Sequence, residues 1–503
     1  MDIFSDLLVG AETALSLGNL LYCLVGVLLG TAIGVLPGLG PTTTIAMLLP
    51  LTTGLPADSA MIMLAGIYYG SQYGGSTTAI LINLPGETTS LVTALDGYEM
   101  AKQGQAGRAL SAAAIGSFVA GTIATLIIAL FAPPLAEMAL SFGTAEYFSL
   151  LVLGLVSSIV LAHGSLFHAF AMVLLGLLFG MIGTDVNSGI GRYTMGMPEL
   201  YDGIGFVPLA MGMFGIGEII ANLEHESSRG TLVKKVTGLL PTREDWIRMT
   251  APILRGTALG SALGLLPGGG MLLASFASYS LEKKVSKHRD QFGKGAIEGV
   301  AGPEAANNAG AQTSFIPMLT LGIPANSVMA LLIGAMIIQG IQPGPSVMTE
   351  QPTLFWGLVV SMWVGNLMLV VLNLPLIGIW VRMIAIPYHF LFPAIILFCA
   401  IGAYSLNNTT FDVYMTAAFG FAGYVLRKLD AEPAPMLLAF ILSPMLEEYL
   451  RRALLISHGD PTVFVTRPVS ASLLFVAAVL ILIVMLPVFR RSREVTFQDD
   501  AQA

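Results

Sequence analysis

GTALGSALGLLPGGG, residues 256–270, repeats the pattern of GVLLGTAIGVLPGLG, residues 26–40. At an offset of 230, Gly26, Gly30, Gly34, Pro37, Gly38 and Gly40 fall on Gly256, Gly260, Gly264, Pro267, Gly268 and Gly270. Glycines spaced by four line one helical face and let a second backbone approach closely. The Pro-Gly run that follows stops the helix, because proline donates no amide and glycine tolerates turns closed to other residues. A glycine-faced helix that ends in the same abrupt way twice predicts an internal duplication built on two hairpins.

The surroundings of both copies are apolar. Of 503 residues 55% are hydrophobic and 11% charged, and mean hydropathy is +0.79. Soluble chains carry about 25% charged residues, so this chain cannot coat a water-facing surface of its size. Apolar runs near the ~20 residues that cross a bilayer recur from Leu15 almost to the C-terminus. Composition thus excludes soluble, collagen-like, disordered, disulfide-rich and nucleic-acid-binding classes. Cys23 and Cys399 sit in apolar runs with neither disulfide nor metal spacing. The start, MDIFSDLL, is acidic where a cleavable signal is basic, so the first apolar segment is expected to be retained.

Charge gives the direction of the spans. All 23 Lys and Arg lie at or after Lys102. The positive-inside rule assigns Lys102 with Arg108, Arg229 to Arg255, Lys283 to Lys294, Arg382, Arg427 with Lys428, and Arg490 to Arg493 to the cytoplasm. Arg192, Arg451, Arg452 and Arg467 are exceptions. Residues 256–281 are apolar between two basic flanks, and 26 helical residues reach about 39 Å, one pass but not two. A re-entrant hairpin over 252–281, entering from the cytoplasm and turning at Pro267 to Gly270, keeps both flanks inside; one kinked span is the alternative. Its counterpart over 15–53 has no basic flank and opens outside.

The segments that follow match as well. Ala65-Gly66, Gly74 and Gln103-Gly104 pair with Ala301-Gly302, Gly310 and Gln339-Gly340 at an offset of 236, while Pro85 and Pro324 are displaced by a three-residue slip. Phe167 and Gly176 pair with Phe411 and Gly420. Residues 56–100 run inward and 296–342 outward. Four spans follow each, near 109–131, 146–162, 167–184 and 204–221, then 354–380, 384–405, 411–426 and a short 436–450. The expected fold is an all-α polytopic membrane protein with two inverted-topology repeats, 1–225 and 251–465. A cytoplasmic linker, 226–250, joins them, and 466–503 adds a last transmembrane helix and a cytoplasmic tail. Inverted repeats with broken helices mark secondary transporters.

Chemistry concentrates at four broken-helix motifs. They are LPGLGPTTT (36–44) with LPGGGMLLAS (266–275), and INLPGETTS (82–90) with TLGIPANS (320–327). Backbone groups freed there can hold an anion through half-helix N-termini and a cation through carbonyls. The expected substrate-binding groups are Thr42, Thr43, Thr44, Asn83, Pro85, Gly86, Thr88, Asn326 and Ser327, with Thr89 nearby. Those expected for a coupling cation are Gly38, Gly40, Gly268, Gly270, Glu304, Asn307, Asn308, Thr320 and Gly322. No Lys or Arg lies inside these motifs, so an anion there would depend on a co-bound cation. Glu87, Glu304, Asp185 and Glu218 are acids in or near apolar stretches, where ionisable groups are costly and often functional. Glu304 is the preferred group for ion or proton coupling, and a helix-terminal surface acid is the bland alternative. Enzyme signatures fail: Gly293-Lys294 continues into Gly295 rather than Ser or Thr, His163 and His168 have no HExxH spacing, and GxSxG is missing. No cofactor is expected besides the coupling cation.

GVLPGLGPTTT, YGGSTTAILINLPGE, DGYEMAKQG, PEAANNAGAQTSFIPMLTLGIPAN and GLLPGGG together resemble the large membrane subunit of tripartite tricarboxylate transporters, the TctA family. The resemblance implies uptake of a tricarboxylate- or dicarboxylate-type anion across the bacterial inner membrane; for this multi-pass chain the charge pattern then puts the N-terminus, with Asp2, Asp6 and Glu12, in the periplasm and the C-terminus in the cytoplasm. It implies two partners, a periplasmic solute-binding protein (TctC-like) and a small membrane subunit (TctB-like). It also implies cation symport, sodium ahead of protons; an elevator-like movement follows by analogy with other hairpin transporters. A rocking symporter without a binding protein and a passive channel are the alternatives.

Overall fold

The structure, a computed structural model, describes residues 3–36, 39–84, 86–162, 165–185, 187–224, 236–266, 270–384, 386 and 388–485. Among these the chain is helical apart from one two-residue strand pair, as a bilayer demands when every backbone group must be satisfied internally. The first half holds α1 (Ile3–Ala14), α2 (Leu17–Gly34), α3 (Pro41–Leu48), α4 (Ala57–Ile82), α5 (Leu91–Lys102), α6 (Ala106–Leu140), α7 (Thr144–Leu161) and α8 (Leu166–Gly180). Strands β1 (Gly183–Thr184) and β2 (Gly191–Arg192) pair antiparallel. Then α9 (Phe206–Ala210) passes through a π-helical turn, Met211–Ile216, into α10 (Gly217–Glu224). The second half holds α11 (Arg243–Leu263), α12 (Gly270–Val285), α13 (Glu298–Thr313), α14 (Phe315–Leu321), α15 (Ser327–Ile338), α16 (Ser346–Glu350), α17 (Pro352–Asn373), α18 (Ile377–Ile384), α19 (Tyr388–Asn407), α20 (Thr410–Lys428) and α21 (Ala434–Ile456). A short α22 (Val463–Thr466) leads to α23 (Pro468–Met485).

By length and composition α2, α6, the rod Phe206–Glu224 and α17 are long and apolar enough to cross a membrane, and α7, α8 and α23 contain shorter apolar stretches. The protein is an all-α polytopic membrane protein. Several bounds depart from the sequence reading. The capping box of Thr242 and Asp245 starts α11 inside the expected linker, and α21 is a full helix rather than a short one.

The glycine faces do what their spacing requires. A Cβ on Gly26, Gly30 or Gly34 would stand 2.3–2.4 Å from the carbonyl oxygens of Met63, Ile67 and Ser71, so α2 lies backbone to backbone on α4. In the second half, Gly256, Gly260 and Gly264 meet the carbonyls of Gly302, Ala306 and Gly310 at 2.1–2.4 Å, seating α11 on α13. These partners are displaced by 239 rather than 236, which corrects the pairing of Ala65-Gly66 and Gly74 with Ala301-Gly302 and Gly310. The helix breaks share the larger displacement, since Asn83 (φ 55°) ends α4 and Gly322 (φ 70°) ends α14, both left-handed. From there the first half spends three extra residues, the 3-10 turn Thr88–Ser90, before α5 begins. The offset of 236 is then restored, with Gln103-Gly104 and Gln339-Gly340 ending α5 and α15 alike. The slip is that turn.

The two tips are built differently. Arg255 of α11 donates two hydrogen bonds to Glu282 of α12, at 2.7 and 2.6 Å. Arg255 and Glu282 are almost equidistant in sequence from Gly268, so α11 and α12 run antiparallel side by side. By contrast α3 has only eight residues and turns from α2 towards α15 and the π-helical turn.

Helices α7, α8, α21 and α23 form an outer bundle with small apolar clusters of its own, including Leu151, Leu155, Val173, Ala439 and Leu442. Here lie the arginines that break the charge rule. Arg192 and Arg451 share Asp185 and Glu447, Arg452 pairs with Glu448, and Arg467 with Glu146. Each exception carries its own counter-charge.

Candidate functional site

Each tip packs on the broken segment of the other half. Helix α3 lies against α15, and α12 lies against the turn Thr88–Ser90. Thr42, the second residue of α3, shares a 2.8 Å hydrogen bond with Ser327, the first residue of α15; both are half-buried. Across the other junction, Asn307 of α13 donates to Glu87 at 2.8 Å. Asn326 caps α15 by accepting from the Met329 amide at 2.9 Å, whereas α3 opens at Gly40 with no capping side chain. The amides of its first turn are therefore left for another acceptor.

Behind these contacts sits a buried polar layer on α4. The Tyr68 hydroxyl faces Ser314, Gln72 and Asn326, and lies 3.2 Å from the Met271 sulfur at the second tip. Tyr68, Tyr69 and Phe315 stack loosely, with centroids 5.6–6.2 Å apart, and close the layer on one side. Gln72 is fully buried, yet among the described residues neither amide atom has a hydrogen-bond partner; Asn307 Oδ1 and the Thr89 hydroxyl have none there either. Unpaired buried polar atoms are costly, about 1–3 kcal/mol each, and call for an explanation in a native structure. Gln72, Asn307 and Thr89 together keep four such atoms in this layer.

A second constellation surrounds Glu304. Its carboxylate accepts from Thr93 on α5 at 2.5 Å, Ser76 on α4 at 3.0 Å and Ser117 on α6 at 3.4 Å. Asn308 donates to Ser117 at 2.6 Å and to the Glu304 carbonyl at 3.1 Å, tying the shell together. Among the described residues, no ion pair reaches Glu304 or Glu87. Glu304 faces a cavity of about 20 Å³ lined by Tyr73, Ser76, Thr77, Ser117 and Asn373. That is room for about one water or a small ion. A buried carboxylate with hydroxyl donors and no cation is a natural place for a proton or an alkali ion.

The remaining expected residues divide by location. Thr43 donates to the Phe214 carbonyl in the π-helical turn, Thr44 to the Gly40 carbonyl and Thr320 to that of Ile316. Gly40, Gly86 and Gly270 line the tips and breaks; a Cβ on Gly86 would meet Gly75 Cα at 2.5 Å. Asn83 and Thr88 are exposed, and Asn83 acts through its left-handed backbone. Gly38, Pro85 and Gly268 lie outside the described residues. The other acids are structural pairs, Glu218 with Arg427 and Asp185 with Arg451. Sequence reasoning missed Tyr68, Gln72, Ser76, Thr93 and Ser117. A glutamine and a run of hydroxyls inside an otherwise apolar helix were the available signal.

Residues 20–438 match the family described as Tripartite tricarboxylate transporter TctA family. Two relatives come from Agrobacterium vitis. "Uncharacterized 52.8 kDa protein in TAR-I ttuC' 3'region" is 59% identical over 99% of this chain and 100% of its own length. "Uncharacterized protein in TAR-II ttuC' 3'region" is 63% identical over 48% of this chain and 100% of its own length. No solved structure matches the chain.

Proposed function

This chain belongs to the tripartite tricarboxylate transporter TctA family, and from that premise we propose a binding-protein-dependent secondary active transporter. It is the large membrane subunit of such a system, and the reading is of a transporter rather than an enzyme. The substrate is a carboxylate of the tricarboxylate or dicarboxylate type, taken up by symport with sodium. The partners are a periplasmic solute-binding protein and a small membrane subunit. The membrane is the bacterial inner membrane, with the N-terminus periplasmic and the C-terminus cytoplasmic.

One observation carries the reading: the tips and breaks of both halves meet at unpaired buried polar groups with no basic side chain among them. Hydroxyls, amides and the uncapped start of α3 can receive a carboxylate's oxygens, and the helix dipole favours the anion there. They cannot neutralise two or three charges away from water. A cation held near Glu304 supplies the missing charge, which makes substrate binding depend on the ion. Such a core, carried against the outer bundle of α7, α8, α21 and α23, is the arrangement an elevator uses.

Uptake into proteoliposomes tests this, with citrate as the tricarboxylate probe and the cognate binding protein and small subunit supplied. Accumulation that needs both an inward sodium gradient and the binding protein is expected. Accumulation by the large subunit alone, or downhill flux indifferent to ions, overturns the proposal. Single cysteines at positions 250 and 290, both exposed, should label from the cytoplasmic side; labelling from opposite sides overturns the re-entrant hairpin.

A further inference from the structure

The Gly293-Lys294-Gly295 sequence makes no P-loop, yet its backbone does form an anion nest, and the anion is Asp96. One oxygen, Oδ1, accepts the amides of Gly293, Lys294, Gly295 and Ala296 at 2.8, 3.1, 2.8 and 2.9 Å. The other accepts the Tyr279 hydroxyl at 2.9 Å. Positive φ at Gly293 (77°) and Gly295 (107°) turns the four amides to one point, which residues with a Cβ rarely allow. Asp96 is fully buried, and a Cβ on Gly299 would lie 2.2 Å from Oδ2, so nothing else fits beside it. Nearby, Gln103 donates to the Lys294 carbonyl at 2.7 Å.

The clamp joins α5 of the first half to the segment that enters α13 in the second. Asp96 and Thr93 are three residues apart on α5 and share a helical face. Thr93 donates to Glu304 on α13 at 2.5 Å. Asp96 thus ties α5 to the segment that leads into α13, and Thr93, one turn earlier, ties it to α13 itself. We propose that Asp96 is a positioning residue, which locks α5 onto α13 so that Thr93 stays on the coupling carboxylate. This assignment rests on the reading of Glu304 as the coupling group. Asp96 touches neither ion nor substrate and acts through Thr93, as outer-shell partners of ion ligands do.

The test is thermal unfolding of the purified full chain, titrated with Na⁺ against choline at fixed pH and with pH in choline. The half-effect point of the titration that stabilises wild type is the readout. Asp96→Asn and Thr93→Ala should each weaken it about tenfold, the scale of outer-shell losses. The double variant should be no weaker than the weaker single, because both act on one contact. Tyr279→Phe, which removes one of five donors and keeps the packing, should shift it about two- to threefold in the same direction, scaled down from the outer-shell losses. It tests the clamp even if Asp96→Asn does not fold. If Tyr279→Phe and any folded Asp96→Asn titrate as wild type, or if the Asp96 and Thr93 effects multiply, the positioning role is overturned. If Glu304→Gln titrates as wild type, or wild type responds to neither ion, the coupling role of Glu304 falls instead.

Discussion

Thr42 and Ser327 stand 285 residues apart in the chain and share one hydrogen bond at the meeting point of the two halves. Neither hydroxyl is deeply buried, so water can replace a lost partner. Thr42→Val and Ser327→Ala should each cost about 1 kcal/mol of stability or less. Uptake of citrate should fall at least tenfold in either variant, because the first turn of α3 loses its anchor on α15. Melting curves and proteoliposome uptake measured on the same preparations separate the two effects. Full uptake in both variants would remove the pair from the site.

Gln72 offers the opposite trade. Its two amide atoms, unpaired among the described residues, are a standing cost in the folded protein. Replacing them by an apolar side chain of similar size relieves that cost, so Gln72→Leu should raise stability by about 1 kcal/mol. The same variant should lose the stabilisation that citrate and sodium give wild type. A melting temperature that drops, with ligand response intact, would show that Gln72 is a packing residue.

Glycines inside and outside the close helix contacts should differ sharply. A Cβ on Gly260 would stand 2.1 Å from the Ala306 carbonyl, a backbone atom that cannot step aside. Gly260→Ala is expected to cost about 1–3 kcal/mol through overpacking, and Gly260→Val more. Gly18, in α2, meets nothing within 4 Å. Gly18→Ala should stabilise the helix by about 0.5–1 kcal/mol. Denaturation midpoints in one detergent decide the comparison.

The loop pair on the outer bundle predicts an acid limb. Asp185 accepts the amides of Ser188 and Asn187 and pairs with Arg451, and the Ser188 amide above all holds its carboxyl well below the usual range. A depressed carboxylate adds stability that is complete above its unfolded value, about 4, and is lost as pH falls through the lower folded value. The melting temperature of wild type should therefore decline below about pH 4. Asp185→Asn should be less stable at pH 7 and should lack part of that decline. Identical acid limbs in the two proteins would exclude Asp185 as a contributor.

Much of the fold is legible in the amino-acid sequence. Glycines at intervals of four declare a close helix pair whatever they pack on, and Gly26 to Gly34 and Gly256 to Gly264 do so. Glu304 is legible because a carboxylate amid alanines and asparagines is hard to explain by packing. The register is not, because Gly66 and Gly74 resemble Gly302 and Gly310 by composition alone, and only the carbonyls that Gly26 to Gly34 and Gly256 to Gly264 face reveal the extra turn at Thr88–Ser90. Ser76 and Thr93 stay hidden because their meaning depends on Glu304 of α13, more than two hundred residues later. Asp96 is hidden more thoroughly: its partners are backbone amides, which no side-chain pattern records.

The glycine ladders close within a half, α2 on α4 and α11 on α13, whereas the contacts Thr42–Ser327, Asn307–Glu87 and Thr93–Glu304 cross between halves. Synthesis from the N-terminus therefore delivers a first half in which Thr42, Ser76, Glu87 and Thr93 still await their partners. The junction at α3 closes only once Ser327 has been made, so the meeting point of the halves takes shape late in the growth of the chain.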